Sequence, residues 1–475
     1  MNRPDKDKWR VAMAQEENSL RLTKTWSYAL LPADRKAIQS KWVYKIKRDP
    51  AQRIIKYKAR LVAKGFTQKK GLDYHETFTP VVRMTSARIV LAIAVHEQLQ
   101  LRQVDIDNAY LNRDIDTDLY MIPPQGWTWD DRYSREQGYV LKLNKNLYGI
   151  KQAGHIWNST IHAYCEELGF KRTSADQCVY TRPFVRGNKE GCEEGRIMAS
   201  LHVDDFLLAG RPKQLEWFRT SLLNKFGIKW TTDIFFLGIK ISPLPDGGIS
   251  LSQSHYLQQV LTKFNMLDCK PTYTPMTRGS IKELIDHPEK QVPLGSHEHS
   301  QYHTIVGKLM YAMVATRPDL AFALSFLGQA SAAPTAAHMA MAIRVLAYVR
   351  TTLDHSLHFP FIRSEGVIAE GYSDSNYAES PSRKSTTGFC YFLNGSLTHW
   401  CSKLQACVAT STSVAEWFAL YETVRELVPL RRLLNDLGHP QQHPTRVWED
   451  NQTAIGLLRD KTHHNRTKHV DVKYH

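Results

Sequence analysis

The sequence RIMASLHVDDFLLAG, residues 196–210, places two adjacent acids between two apolar, β-prone runs. This pattern is typical of a β-hairpin whose turn carries the acids, here Asp204 and Asp205. Neighbouring carboxylates repel each other, and an apolar frame strengthens the repulsion, so we expect a cation to neutralise them. The plainer alternative is a solvated Asp–Asp turn that binds no metal.

A second acidic segment, LRQVDIDNAYLN at 101–112, alternates apolar and acidic residues. The alternation predicts a strand with Asp105 and Asp107 on one face. Carboxylate oxygens are the ligands that Mg²⁺ prefers. Two such ions about 4 Å apart can activate a 3′-hydroxyl and stabilise a leaving pyrophosphate. The two segments together therefore favour phosphoryl-transfer chemistry.

The charge balance favours a polyanionic partner. The 475 residues carry 62 Lys and Arg against 47 Asp and Glu, a formal charge of +15, and are enough for two or three domains. Such a balance indicates nucleic acid or an anionic membrane surface, with an unpartnered basic surface as the alternative. Residues 41–70 concentrate the charge, with eleven Lys and Arg among aromatic residues. This segment predicts a strand surface that follows a phosphate backbone.

The cysteines and the apolar runs indicate the compartment. Seven scattered cysteines without a C-x-x-C pair argue against a disulfide framework and for a reducing compartment. The N-terminus lacks the apolar core of a signal peptide. The longest apolar runs, such as IVLAIAV at 89–95, are far shorter than the roughly 18 residues of a membrane span. We therefore expect a soluble intracellular protein with no membrane partner.

The second half of the chain contains two kinds of pattern. Residues 276–300 have no apolar periodicity and carry Pro, Gly and His, which is typical of a linker or long surface loop. The segments that follow, to about residue 365, have the periodicity of two or three packed helices. From about Gly366, the order strand, hairpin, helix, strand, helix predicts an α/β unit.

Longer blocks resemble the copia-type retrotransposon polyproteins, in the region of their reverse transcriptase and ribonuclease H. LHVDDFLL looks like the x-V-D-D hairpin of reverse transcriptases, and the blocks occur in family order over nearly the entire chain. The blocks are KWVYKIKRD (41–49), YKARLVAKGFTQKKGLDYHETFTPV (57–81), QVDIDNAYLN (103–112), YMIPPQGW (120–127), LNKNLYGIKQAGHIWN (143–158), FFLGIKIS (235–242), ISLSQSHYLQQVLTKFNM (249–266) and VGKLMYAMVATRPDLAFAL (306–324).

The resemblance implies an α+β fold: a right-hand polymerase, then a helical connection and an α/β ribonuclease H-like domain. The implied boundaries are 1–228 for the fingers and palm and 229–275 for a helical thumb. A linker and helical connection follow over 276–365, and the ribonuclease H-like domain over 366–475. The chain stops four residues past Asp471, so we expect this last domain to be C-terminally truncated.

By the same resemblance, Asp105, Asp204 and Asp205 are the palm carboxylates. Asp105 and Asp204 are expected to coordinate two Mg²⁺ ions, with Mn²⁺ as an alternative, and Asp205 to be less directly engaged. Asp107 falls where the family varies, so we expect it to be a surface acid.

The resemblance also implies a nucleotide site. Tyr110 matches the aromatic residue that closes the pocket under the sugar, which would exclude a ribose 2′-hydroxyl. Gln152 matches the glutamine that lines the site of the incoming nucleotide. The family places triphosphate contacts in the YKARLVAKG block, which makes Lys58, Arg60 and Lys64 candidates. Each of these three residues is equally well explained as a solubilising charge.

The C-terminal unit resembles the ribonuclease H attached to copia-type polymerases. Asp374, Glu416, Asp450 and Asp471 match its four acids, which are implied to hold two Mg²⁺ ions and direct a water onto an RNA phosphodiester. Asp450, between a strand and a helix, is also open to a plain N-cap role. The histidines near the C-terminus have no Cys partner and basic neighbours, so phosphate contact or loop structure is favoured over zinc; they are His463, His464, His469 and His475.

The resemblance predicts an RNA-directed DNA polymerase with appended ribonuclease H, which acts on an RNA and DNA template-primer with dNTPs. The expected location is a cytoplasmic virus-like particle, with the nucleus as a second compartment. His202 stands where the family usually has Tyr, so an inactive remnant that only binds nucleic acid is the alternative. A protein in which only the nuclease works is a third hypothesis. The oligomeric state is not predicted.

Overall fold

The N-terminal part of the chain forms a helix packed on a long hairpin. The computed structural model describes residues 5–48, 53–185, 194–277, 279–287, 289 and 291–459. The first elements are α1 (Lys6–Leu22), β1 (Trp26–Leu30), β2 (Ser40–Arg48) and β3 (Ile54–Ala63). Trp9 of α1 meets Tyr44 of β2 and Tyr57 of β3 edge-on, with ring centroids 5.0 and 4.8 Å away. These aromatic contacts join the helix to the hairpin.

A six-stranded antiparallel sheet forms the centre of the first half. Helices and further strands accompany this sheet in the sequence. In chain order, the elements of this region are α2 (Met84–His96), β4 (Gln100–Ile106), β5 (Asp114–Met121), β6 (Tyr139–Lys145), α3 (Ala153–Glu167), β7 (Lys171–Arg172), β8 (Val179–Phe184), β9 (Gly195–His202), β10 (Asp205–Gly210), α4 (Pro212–Leu223) and β11 (Ile228–Thr231). The strand order is β11-β4-β10-β9-β8-β7, and β1-β6-β5 form a smaller sheet.

The predicted hairpin around the two adjacent acids is the β9–β10 hairpin of this sheet. Both strands are buried on both faces because helices cover the sheet on either side. Met198 and Leu207 pack in one core with α2. Ile197 and Phe206 pack in another core with α3 and α4. Continuous apolar runs flank the acids for this reason.

The middle of the chain contains a small sheet and a helical bundle. Its elements are β12 (Ile234–Phe236), β13 (Ile239–Pro243), β14 (Ile249–Ser252), α5 (Ser254–Lys263), α6 (Ser280–Asp286), α7 (Ser296–Ala315), α8 (Ala321–Gln329), α9 (Ala336–Thr351) and β15 (Leu357–Phe359). The strands pair in the order β12-β13-β14-β15. Helices α5, α7, α8 and α9 share a core that includes Leu261, Leu309 and Leu346.

Two expectations about this region are wrong at the level of secondary structure. We expected a helical thumb over 229–275, but strands occupy most of 228–252, and one helix follows. The alternation of buried Ile and exposed residues in β13 suits a strand with one covered face. We also expected 276–300 to be a linker or loop, but α6 and the start of α7 lie within it.

The C-terminal unit is the predicted α/β arrangement. Its elements are β16 (Ala369–Asn376), β17 (Thr386–Leu393), β18 (Ser396–Leu404), α10 (Thr412–Asp436), β19 (Arg446–Trp448) and α11 (Gln452–Arg459). The order is β18-β17-β16-β19, and β19 runs parallel to β16. Helix α10 covers one face of the sheet, where the Tyr391 hydroxyl donates to the Thr423 carbonyl over 2.7 Å. A Cβ on Gly371 would lie 2.5 Å from the Tyr391 ring, so this close packing requires glycine.

One apolar core joins the two halves of the molecule. It contains residues of α2, the β12–β15 sheet, strands β16–β18 and the C-terminal half of α10, for example Ile93, Leu251, Tyr391 and Leu434. The expected class, an α+β polymerase-like half followed by helices and an α/β ribonuclease H-like unit, is confirmed. None of the described helices combines the length and apolarity that a bilayer crossing requires.

Candidate active sites

The first acidic site is a row of side chains across three neighbouring strands. Asp205 of β10 lies directly opposite Asp105 of β4, and Lys229 of β11 lies opposite Asp105 on its other side. Directly opposed residues project from the same face of an antiparallel sheet, with Cα atoms about 4.5–5.5 Å apart. Asp105 therefore meets the Asp204–Asp205 pair although about a hundred residues separate them in sequence.

The turn that carries Asp204 is held from two sides. Val203 adopts a left-handed conformation, with φ at 58°, which directs the chain sharply between β9 and β10. Its carbonyl accepts a hydrogen bond from the Trp157 indole over 2.6 Å. The Ile106 amide donates to the Asp204 carbonyl over 2.9 Å, which ties the turn to β4. These bonds fix the position of the two acids relative to Asp105.

The acids of this site repel one another. Burial raises the pKa of Asp205 to about 6, and the charges of Asp204 and Asp105 add to the effect. The Gln103 amide donates to Asp205 Oδ1 over 3.2 Å and partly offsets it. Burial and Asp105 likewise raise the pKa of Asp204. The half-buried Asp204 and Asp205, with their raised pKa values, favour the approach of a cation.

Lys229 supplies one positive charge to the row. Its Nζ lies 2.9 Å from Asp105 Oδ2 and also bonds Asp107 Oδ1. Asp107 is exposed, as expected of a surface acid, but it shares this lysine with Asp105. One carboxylate oxygen of Asp105 therefore already has an internal cationic partner.

Two of the predicted nucleotide-site residues lie beside the acids. The Tyr110 ring packs edge-on against Tyr148, with centroids 5.1 Å apart. Burial raises the pKa of Tyr110, and the nearby Asp204 charge adds to this. The Arg60 guanidinium lies 4.5 Å from the centre of the Tyr148 ring, and its charge acts to lower the pKa of Asp204. Arg60 and Tyr110 therefore border the first site.

The other three predicted nucleotide-site residues are placed differently. Lys58 lies on β3 opposite Lys45, and Lys64 donates to Gln39 Oε1 over 2.8 Å. Gln152 is fully buried. Its amide donates to the Asp73 carbonyl over 2.8 Å and accepts from Gln68 over 3.0 Å. The structure gives Gln152 a place within a buried hydrogen-bond network.

The second acidic site brings together side chains from three separate elements. Asp374 lies near the end of β16, Glu416 on α10, and Asp450 just after β19. One carboxylate oxygen of each lies within 4.8 Å of the others, and this is the only group of three such ligands within the described residues. Because β16 and β19 are parallel neighbours, their carboxyl ends reach the same edge of the sheet. Helix α10 crosses that edge.

The N-cap role considered for Asp450 belongs to its neighbour, Asn451. Asn451 Oδ1 accepts from the Ala454 amide over 3.0 Å at the start of α11, so Asn451 is the N-cap. The Asp450 carboxylate is then available to the acidic cluster. Asp471 and the four C-terminal histidines lie outside the described residues.

Glu416 is the most perturbed acid of the second site. It is 7% exposed, and burial raises its pKa to about 7, with contributions from Glu449, Asp374 and Asp450. Its Oε2 is buried without a hydrogen-bond partner within the described part of the chain. A buried oxygen of this kind costs free energy unless something binds it. A set of carboxylate oxygens with one such atom fits a hard divalent cation.

Comparison with known proteins identifies the first half. A family model described as reverse transcriptase (RNA-dependent DNA polymerase) matches residues 23–278, more than half of the chain. The chain belongs to the reverse transcriptase family. Within it the chain is a copia-type retrotransposon polyprotein sequence, as the quoted blocks predict. The match includes the first acidic site and ends before the second.

Curated relatives match almost the whole length of the chain. It is 36% identical, over all of its residues, to the Retrovirus-related Pol polyprotein from transposon TNT 1-94 of Nicotiana tabacum, of which it covers 35%. It is 34% identical over 99% of its length to that from transposon RE2 of Arabidopsis thaliana, of which it covers 31%. The chain thus spans about a third of these relatives. A foamy viral protease-reverse transcriptase in complex with double-stranded DNA aligns with 97% of this chain and 68% of its own, at 12% identity and a TM-score of 0.45.

Two residues of these sites were missed from the sequence. Lys229 joins the first site only through the pairing of β11 with β4, and a single lysine in a short alternating strand carries no signal of that. Glu449 contributes to the second site, where burial raises its pKa and Asp450 and Asp374 add to the effect. The adjacency of Glu449 to Asp450 in VWEDN was the available signal.

Proposed function

We propose that this chain is the RNA-directed DNA polymerase and ribonuclease H part of a copia-type polyprotein, which copies retrotransposon RNA into DNA by two-metal phosphoryl transfer. The observation that carries the proposal is the convergence of Asp105, Asp204 and Asp205 at one turn of the central sheet. The net charge of +15 supports a template-primer as the partner.

In this proposal, Asp105 and Asp204 hold Mg²⁺ or Mn²⁺, and Asp205 adds negative charge beside them. When bound, these ions would lower the pKa of the primer 3′-hydroxyl and neutralise charge on the leaving pyrophosphate. Arg60 would attract the triphosphate, and the Tyr110 ring would contact the sugar; their contacts with Tyr148 beside the acids support these roles. Lys58, Lys64 and Gln152 stay predictions for the nucleotide site.

The proposed ribonuclease site uses Asp374, Glu416 and Asp450 as the ligands of a second pair of ions, with Asp471 as a fourth acid. Its support is the three-oxygen cluster and the buried, unpartnered oxygen of Glu416. Hydrolysis of RNA in a hybrid needs carboxylates that hold divalent ions at the phosphodiester. The oxygen donor set has the chemistry that this requires.

The proposal also covers the domain boundaries of the chain and its place in the cell. We assign residues 1–228 to fingers and palm, 229–275 to the thumb, 276–365 to the linker and connection, and 366–475 to the ribonuclease H-like domain. The shared core between α2, β16–β18 and α10 supports a direct contact between palm and ribonuclease H-like unit. A cytoplasmic virus-like particle, with passage to the nucleus, is the proposed setting.

The polymerase part is tested by Mg²⁺-dependent extension of a DNA primer on an RNA template. We expect extension by the wild type and a loss of about 10³-fold in Asp204→Asn, because the metal site loses a charged ligand. Asp233→Asn is the matched control, since Asp233 is an exposed acid in the loop after β11. No extension by the wild type, or undiminished extension by Asp204→Asn, would contradict the proposal.

The ribonuclease part has a separate test. Wild-type protein is expected to cut the RNA strand of an RNA–DNA hybrid, and Asp450→Asn to lose this cleavage while it still extends primers. Asn451→Asp, which keeps an N-cap side chain on α11, controls for damage to the helix start. Cleavage that survives in Asp450→Asn would remove this acid from the site.

A specific observation favours the inactive remnant as second candidate. The Asp105 carboxylate is bound to Lys229, and His202 stands beside the acidic turn where the family usually has Tyr. A remnant would bind duplex tightly in low salt, release it steeply as salt rises, and incorporate no nucleotide. Primer extension by the wild type excludes this candidate.

A further inference from the structure

A buried arginine lies where three parts of the molecule meet. Arg88 of α2 is 2% exposed. Its Nη1 donates to the carbonyls of Val314 and Ala315 over 2.6 and 2.9 Å, and its Nε donates to the Thr398 carbonyl over 2.7 Å. One side chain of the palm thus binds the end of α7 and a residue near the start of β18 in the ribonuclease H-like unit.

The last carbonyls of α7 are satisfied mainly from outside the helix. A helix leaves four carbonyls without partners inside it, and they carry the negative end of its dipole. Ala312 accepts from the Thr316 and Arg317 amides, and Met313 accepts from the Trp400 indole over 3.1 Å. The remaining two carbonyls accept from Arg88. The cap of α7 is therefore built by the palm and by the ribonuclease H-like unit together.

The arginine and Trp400 also contact each other directly. The Arg88 guanidinium carbon lies 3.9 Å from the centre of the Trp400 ring, which is a close cation–π contact. No carboxylate within the described residues pairs with Arg88, so its charge depends on the carbonyls, the helix end and the ring. Burial lowers its pKa to about 9, which still leaves it charged at neutral pH. If any one of the three parts moved away, the buried Arg88 charge would lose some of its partners, which is unfavourable.

We call the contacts that Arg88 and Trp400 make with each other and with α7 and β18 the joint. Weaker contacts surround it. Asp436 of α10 accepts from the Ser174 amide over 2.7 Å, and Glu97 pairs with His439 at 3.1 Å. Asn394 lies 2.9 Å from the His96 ring. These polar contacts are at the rim of the apolar core that the two halves share. Among these contacts, Arg88 is the one that combines burial with hydrogen bonds to both other parts.

We propose that Arg88 is a positioning residue that locks the ribonuclease H-like unit onto the palm and so fixes the distance along the nucleic acid between the polymerising and the cleaving sites. This inference rests on the proposed function. One base step of a duplex rises about 3.4 Å, so a tilt that moves one site by that distance shifts the cut by one nucleotide. A rigid joint keeps the RNA cut at one distance from the primer end.

The test measures where the RNA is cut relative to the DNA 3′ end in a hybrid. The wild type is expected to give one dominant fragment length. Arg88→Met keeps the volume but loses the charge and all three bonds, so the cuts should spread by one or two nucleotides, since each step is about 3.4 Å. The rate of primer extension should stay at the wild-type value. Trp400→Phe, which loses only the indole donor, should give a smaller spread and serves if Arg88→Met does not fold.

Arg317→Met is the matched control. Arg317 is as buried as Arg88, at 1% exposed, but its bonds to Asp319 and Thr352 stay within the helical region. We expect this variant to lose stability and keep a single fragment length. A spread of cuts in Arg317→Met as well would overturn the proposal, because the effect would then follow from any loss of stability.

A second measurement does not need ribonuclease activity. In scanning calorimetry the wild type and Arg317→Met are expected to unfold in one transition, and Arg88→Met in two, because the halves become uncoupled. A wild type that extends primers without cutting hybrids would remove the ribonuclease part of the proposed function, and calorimetry alone would then decide about the joint. If Arg88→Met and Trp400→Phe both unfolded in a single transition and kept the wild-type fragment length, the proposed role of Arg88 would be overturned.

Discussion

The two acidic sites differ in how their negative charge is compensated. In the first site, three acids on one sheet share a row with Lys229, whose Nζ is 2.9 Å from Asp105. In the second site, burial and the charges of Glu449, Asp374 and Asp450 raise the pKa of Glu416, and only the uncharged Ser375 side chain acts against them. One Glu416 oxygen is buried without a hydrogen-bond partner in the described residues. The first site thus carries part of its own counter-charge, and the second depends on a cation from solution. Metal dependence should therefore be stronger at the second site.

The largest expected effect is a loss of cleavage without a loss of polymerisation. Glu416→Gln removes the charge but keeps the size, and we expect hybrid cleavage to fall about 10³-fold, as for other residues that hold the reacting groups. Primer extension should not change because the first site lies in another sheet. Gel analysis of both reactions on one hybrid substrate measures the two effects together.

The control for this substitution lies on the same helix. Glu422 of α10 pairs with Arg425 at 2.7 Å and is not part of the acidic cluster. Glu422→Gln should leave both reactions intact. If Glu416→Gln weakened extension as strongly as cleavage, the sites would not be separate, and the contrast between them would fail.

Local pattern was sufficient to predict the elements that carry the first site, whereas the acids of the second site were assigned through the family resemblance. The apolar runs around Asp204 and Asp205 gave the hairpin, and the alternation in QVDID gave β4. The order of elements after Gly366 was also predictable because each has its own periodicity. In each of these cases, the signal lies within one segment of about ten residues.

Contacts between distant segments were not predictable in the same way. Lys229 meets Asp105 through a strand pairing across 124 positions of sequence, and the register of that pairing is a tertiary property. The strands of 234–252 were expected as helix because the family resemblance implied a helical thumb there. Arg88 stands inside the otherwise apolar run around it in α2, and that lone charge was the one visible sign of the joint.

The second effect is a difference in pH dependence. Metal binding requires ionised carboxylates, so affinity falls about tenfold per pH unit below the relevant pKa. The pKa of Glu416 is raised to about 7, and that of Asp205 to about 6. As the pH falls, hybrid cleavage should therefore fail first and primer extension at a lower pH. Rates of both reactions from pH 5 to 9 at sub-saturating Mg²⁺ measure the two midpoints.

A linkage experiment controls this prediction. Because protons and metal compete for the same oxygens, a higher Mg²⁺ concentration should move both midpoints to lower pH. A polymerase midpoint at higher pH than the cleavage midpoint, or midpoints that do not change with Mg²⁺ concentration, would contradict the roles of Glu416 as a metal ligand and of Asp205 as a charge beside the metal.

The smallest effect concerns the internal charge of the first site. Lys229→Met removes the cation from Asp105 and leaves its oxygen free, so we expect Mg²⁺ to bind more tightly. The lysine side chain is 64% exposed, and exposed ion pairs contribute at most about 1 kcal/mol, or about fivefold in affinity. The Mg²⁺ concentration for half-maximal extension should fall by up to that factor. Lys225→Met is the matched control, since Lys225 pairs with Glu167 at 3.2 Å away from the acids. An unchanged or higher Mg²⁺ requirement in Lys229→Met would mean that the lysine does not compete with the metal. The proposed difference between the two sites would then rest on the burial of Glu416 alone.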